Sequence, residues 1–171
     1  AVDAVLSQNI HGLEIDSRCV ELAAFALAMA AWKYPNAGGY RVLPEFHLAC
    51  SGLGVSVAKE EWKNLSFGKG NLSAELGWLY DIFKDAPILG SLINPADTST
   101  TNFSNSSWVK LSTLLQEALS QENSAEAKEA GVVAKGLAKS AIMLSDKYNW
   151  VVTNVPYLAR GKQSEVLVDF C

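Results

Sequence analysis

Asn9-Ile10-His11-Gly12-Leu13-Glu14-Ile15-Asp16-Ser17 is the stretch on which the fold turns. Its first seven residues are short, β-tolerant and largely apolar. Asp16 and Ser17 then offer side-chain oxygens that suit a helix N-terminus. A helix is predicted from about Arg18 to Tyr34, rich in alanine and apolar nearly all round through Val20, Leu22, Phe25, Leu27, Met29 and Trp32. A helix without a polar face is expected between a sheet and another layer. Pro35 and Gly38-Gly39 end it, and Glu45-Phe46-His47-Leu48-Ala49-Cys50 reads as a second buried strand.

Beyond that strand the pattern changes. From about Val55 to Tyr148 the chain is predicted to be a mainly helical insert. Leu76, Leu79, Tyr80 and Phe83 fall at i, i+3, i+4 and i+7, as do Leu111, Leu114, Leu115 and Ala118. Val133, Leu137, Ala141 and Leu144 mark a longer amphipathic helix, with Asn123 and Glu126 spaced as a capping pair at its start. Trp62, Trp78, Tyr80 and Phe83 are read as the insert's core. Thr98 to Ser107 reads as a surface loop, and Phe67-Gly68-Lys69-Gly70 as a turn between helices. Trp150-Val151-Val152-Thr153 reads as the last strand, and a short helix from about Ser164 to Phe170 closes the chain. Strand, helix, strand, helices, strand, helix is an α/β order with a parallel sheet. Ligands of such sheets sit at the carboxyl ends of the strands. The residues to inspect are therefore Glu14-Ile15-Asp16, Ser51-Gly52 and Asn154-Val155-Pro156-Tyr157.

Composition narrows the function. The chain has 171 residues, 49% of them apolar and 19% charged, with a net charge of −4. That is enough apolar material for one core, and it excludes a disordered tail. The acidic balance argues against a stand-alone, charge-driven nucleic-acid binder. The longest apolar run, Leu22 to Trp32, is too short for a bilayer. Cys19, Cys50 and Cys171 are odd in number and far apart, which points to free thiols, no metal site and a cytoplasmic setting. His11 and His47 have no partner at ligand spacing and read as core or strand-end residues. Four Asn-x-Ser sequons, at Asn64, Asn71, Asn102 and Asn105, read as loop and cap residues. Gly52-Leu53-Gly54 puts Val57 where a dinucleotide loop needs its third glycine, so no nucleotide loop is expected there.

Asn154-Val155-Pro156-Tyr157 carries the chemistry. Asn154 offers both a donor and an acceptor, Pro156 stiffens the turn, and Tyr157 gives a flat face. With the Val155 carbonyl, they suit a planar base whose exocyclic amine must be held and stacked. This stretch, following an apolar strand, resembles the Asn-Pro-Pro-Tyr signature of N6-adenine DNA methyltransferases. Gly12-Leu13-Glu14-Ile15-Asp16, running into an alanine-rich helix, resembles that family's second motif. Leu158 to Gln163 and the long helical insert are similar to the large enzymes of restriction and phage-defence systems. The resemblance implies a Rossmann-like fold and the cofactor S-adenosylmethionine, with the ribose on Glu14, the adenine ring on Ile15, and Ser51 at the second strand's end. It implies a flipped adenine of double-stranded DNA held by Asn154, Val155, Pro156 and Tyr157. Arg160 and Lys162 are either phosphate contacts or solvated loop charges.

The sequence departs from the family at three places. Val155 replaces a proline, Ser51 stands where an aspartate is usual, and Ala1 to Gln8 contain no glycine where a glycine-rich first motif would precede. The chain, which does not open with Met, is accordingly expected to be a piece of a methyltransferase domain, inactive by itself. A non-catalytic scaffold within a defence complex is the alternative. With the family's first strand missing, the Asn9 and Val151 strands are expected either to pair directly or to make a dimer through their open edges.

Overall fold

Asp16 starts the main helix of the amino-terminal half. In the computed structural model, which describes residues 1–55, 62, 72–95, 105–121, 125–153, 161 and 163–170, helix α2 runs over Ser17–Lys33. Asp16 is extended (φ −99°, ψ 122°) and its carboxylate accepts the Arg18 N–H at 2.9 Å, satisfying one of the helix's orphan donors. Tyr34 turns extended ahead of Pro35, and Asn36, Gly38 and Gly39 take positive φ, so the helix cannot continue.

Two parallel strands flank α2 in the chain: β1, His11–Glu14, and β2, His47–Cys50. They pair in the register His11 with His47 through Glu14 with Cys50. The fold is mixed α/β and mostly helical, with this two-stranded sheet at its amino-terminal side. Both strands are shorter than the sequence predicts. For β1 the reason is a helix that the sequence reading left out: α1, Val2–Gln8. Its last turn claims Asn9 and Ile10, whose N–H groups both donate to Val5 O.

Two further expectations are corrected. Residues 150–153 form no strand. Trp150, Val151 and Val152 are exposed, Val152 at 97%, and no backbone hydrogen bond joins them to β1. The direct pairing of the Asn9 and Val151 stretches therefore does not occur. β-Branched composition favours a strand only where a partner edge is available. Helix α2 is also not enclosed: Leu22 and Phe25 are 65% and 64% exposed, and Ala31 is its only buried residue. Among the described residues, no second layer covers the helix's outer face.

Helices of the 55–148 stretch supply the main core; with no strand at 150–153, the expected placement of this stretch between the last two strands of the sheet is not seen. Its described helices are α3, Leu72–Phe83; α4, Ala86–Leu89; a 3-10 turn, Gly90–Leu92; α5, Asn105–Gln121; and α6, Ala125–Ser145. Helix α7, Glu165–Phe170, follows near the chain end. Leu76, Leu79, Phe83, Leu111, Leu115, Leu137 and Ala141 are buried together, as their helical spacing predicts. Trp62 is buried and its indole donates to Leu76 O at 2.8 Å. Trp78 is only half-buried, and the second tryptophan of the core is Trp108. Helix α5 begins at Asn105, so the loop predicted to Ser107 ends earlier. The expected turn at Phe67–Gly70 lies outside the described residues, as does Asn123 of the Asn123–Glu126 capping pair.

Helix α6 joins the insert to the sheet. The Ser140 hydroxyl donates to Cys50 O at 2.8 Å, and the Lys139 ammonium donates to Phe46 O at 3.2 Å and to the Glu45 carboxylate at 3.1 Å. The Ser140 bond satisfies the carbonyl of the last β2 residue, and the Lys139 bond that of the residue before the strand. Among the described residues, no helix is long and apolar enough to cross a membrane.

Candidate functional site

The chain leaves the two strands side by side, so the turns after Glu14 and Cys50 meet. Ser51 N–H donates to Glu14 O at 2.8 Å, and the Cys50 thiol donates to Ile15 O at 3.3 Å. Gly52 sits so close that a Cβ there would lie 2.1 Å from Ile15 O. Only glycine permits that approach, which explains Gly52 without a phosphate loop. The Glu14 carboxylate folds back: one oxygen accepts the Ile15 N–H at 2.8 Å and the Asp16 N–H at 3.4 Å. Its second oxygen has no hydrogen-bond partner among the described residues.

Between these turns and the insert lies an open cleft of about 350 Å³, lined by Ile15, Asp16, Ser17, Cys50, Gly52, Leu53 and Pro87. It stands at the carboxyl ends of parallel strands and at the start of α2, where an α/β sheet offers exposed backbone groups. Asp16 is already engaged. Its carboxylate caps α2 and pairs with the Arg18 guanidinium at 2.6 Å, and these hydrogen bonds hold its pKa at about 2 against an ordinary 3.8. Burial pushes the Cys50 thiol up, so it lines the cleft as a neutral group. Among the described residues, neither lysine nor arginine lines the cleft.

Of the predicted site residues, Ile15 lines the cleft, while Glu14, the residue before it, is exposed and is not part of the lining. Ser51 is buried beneath the turn, with its hydroxyl directed at Glu14 O rather than into the cleft. Asn154, Val155, Pro156, Tyr157, Arg160 and Lys162 lie outside the described residues. Sequence reasoning missed Leu53 and Pro87 as cleft residues. Leu53 was visible only as part of a rejected nucleotide loop, and Pro87 sits in an insert without a motif.

The two histidines begin their strands as paired neighbours. Their rings stack with centroids 4.7 Å apart, His47 Nε2 contacts Ser7 O at 2.8 Å, and the Tyr148 ring lies 5.2 Å from His11. They belong to the end of the sheet opposite the cleft. Among the described residues no three His, Cys, Asp or Glu side chains are grouped as a metal site. No family model, curated protein or solved structure matches this chain.

Proposed function

We propose that this chain is part of the catalytic domain of an S-adenosylmethionine-dependent N6-adenine DNA methyltransferase. The observation that carries the reading is the cleft after Glu14. There an acidic residue and then an apolar one end a parallel strand at the mouth of a helix. The residues suit the adenosine half of S-adenosylmethionine. Glu14 keeps a carboxylate oxygen for ribose hydroxyls, Ile15 offers an aliphatic wall, and the volume falls in the range of small-molecule sites.

When bound, S-adenosylmethionine supplies a methyl group on a sulfonium, a good leaving group. The chain's own residues bind and orient. Asn154 and the Val155 carbonyl accept the hydrogens of the adenine amine, which keeps its lone pair out of the ring. Pro156 stiffens the turn, and Tyr157 stacks on the flipped base. Arg160 and Lys162 meet DNA phosphates. The rate gain comes from positioning and electrostatics.

The second reading is a non-catalytic scaffold of a defence complex. Its support is Ser51, buried away from the cleft where the family's aspartate would meet the cofactor. Asn154→Ala in the intact protein tests the first reading: DNA methylation is abolished and the circular dichroism spectrum is unchanged. Wild-type methylation by that variant would sink the enzyme reading. An absence of heat on titrating S-adenosylmethionine into the intact protein would favour the scaffold.

A further inference from the structure

The stretch without a readable motif, 55–148, builds one wall of the cleft. Pro87 lines it from the first turn of α4. Its ring sits against Gly54, where a Cβ would come within 3.1 Å of Pro87 Cγ. Three residues on, Gly90 takes φ +52°, and a Cβ there would be 3.2 Å from Ile15 Cδ1. The same Ile15 lines the cleft from the sheet side. Behind the cleft, Leu53 packs against Gly136 of α6, and Ser140 holds Cys50 O. An occupant of the cleft therefore touches the β1 turn, the β2 turn and the insert at once.

The lining also limits what the occupant is. Ile15, Leu53 and Pro87 are apolar, Ser17 offers a hydroxyl, and the Cys50 thiol is neutral. Asp16 is spent on its cap and on Arg18. None of the described lining residues is cationic, so they offer a phosphate nothing to pair with, and their apolar groups suit the faces of an uncharged heteroaromatic ring.

We infer that Pro87 is a specificity-determining wall for the adenine ring of an adenosine-type ligand, and that filling the cleft clamps the helical insert onto the sheet. The ligand's identity rests on the methyltransferase reading; the role of Pro87 goes beyond it. In the intact protein, S-adenosylhomocysteine and adenosine are titrated by calorimetry into wild type and Pro87→Ala. Trimming the ring removes apolar contact area, so both ligands are expected to bind about fivefold more weakly. Saturating S-adenosylhomocysteine is expected to slow amide exchange over 86–92 in wild type, a readout that stands even where the variant fails to fold.

If Pro87→Ala binds both ligands as wild type does and exchange over 86–92 is unchanged, the inference falls, while the Asn154→Ala result leaves the methyltransferase reading standing. If only S-adenosylhomocysteine weakens, Pro87 meets the amino-acid end of the ligand and the adenine wall is overturned. If wild type binds neither ligand, the inference and the reading beneath it both fail.

Discussion

Gly52→Ala puts the site's architecture under direct strain. The added Cβ would meet Ile15 O at 2.1 Å and Ile15 Cγ1 at 2.5 Å, against about 3.4 Å for ordinary contact. The clash is with backbone, so no side-chain rotation relieves it. The turn after Cys50 must move away from the turn after Glu14 by about an ångström. That movement strains the Ser51 N–H to Glu14 O bond at 2.8 Å and the Cys50 thiol bond to Ile15 O. A lost hydrogen bond costs about 1 kcal/mol net, and forced repacking adds about 1–3 kcal/mol. Alanine's lower unfolded-state entropy offsets about 0.5 kcal/mol. The expected loss is about 3 kcal/mol, or roughly 6–12 °C in Tm for a chain of this size. Gly161→Ala is the control, because a Cβ there meets none of the described residues within 4 Å. Urea and thermal unfolding of both variants measure the difference. If Gly52→Ala is as stable as Gly161→Ala, the close approach of the two turns is wrong.

Other perturbations test the links around the cleft. Ser140→Ala leaves Cys50 O without its 2.8 Å donor in a buried setting; a loss of about 1–2 kcal/mol is expected in urea unfolding, and none if α6 does not hold β2. The depressed pKa of Asp16 adds stability that is present above its unfolded value near 3.8 and is lost as pH falls towards about 2. Asp16→Asn should therefore flatten the acid limb of the stability profile between about pH 4 and 2, and an unchanged limb would place the cap's ion pair elsewhere. Cys50, buried and with its thiol pushed up, should alkylate more slowly than exposed Cys19 at neutral pH. Peptide mapping after iodoacetamide treatment reads the ratio, and equal rates would contradict the packing around β2.

The amino-terminal half was legible wherever a local rule decides. Asp16 was readable as a cap because its oxygen serves an N–H two residues away, and Pro35 as a stop because it restricts the residue before it. The leucine spacing of α3, α5 and α6 marked their inward faces. Residues 150–153 misled because β-branched composition records suitability for a strand, not the presence of an edge to join. The apolar face of α2 misled for a related reason: Leu22 and Phe25 show what the helix is able to bury, while a second layer has to come from elsewhere. Helix α1 escaped because a seven-residue segment has little periodicity to read, and its last turn shortened β1. In the cleft, Glu14 and Ile15 were visible as a strand-end pair. Pro87 was not, because nothing local distinguishes a helix-starting proline that packs on its own core from one that faces a ligand.

By itself the sequence determined the elements whose causes lie within a few residues: the capped helix 17–33, the presence of a strand on either side of it, and the helical character of 55–148 with its buried face. It also carries the Asn154–Tyr157 stretch on which the chemical proposal rests. Tertiary structure alone decided that the sheet has two strands among the described residues, that α6 meets the Cys50 carbonyl, and that Gly52 must be a glycine. It also decided that the insert closes one side of the cleft through Pro87. Those features depend on contacts between residues as far apart as Cys50 and Ser140. Such contacts exist only once the chain has folded, and no short-range pattern encodes them.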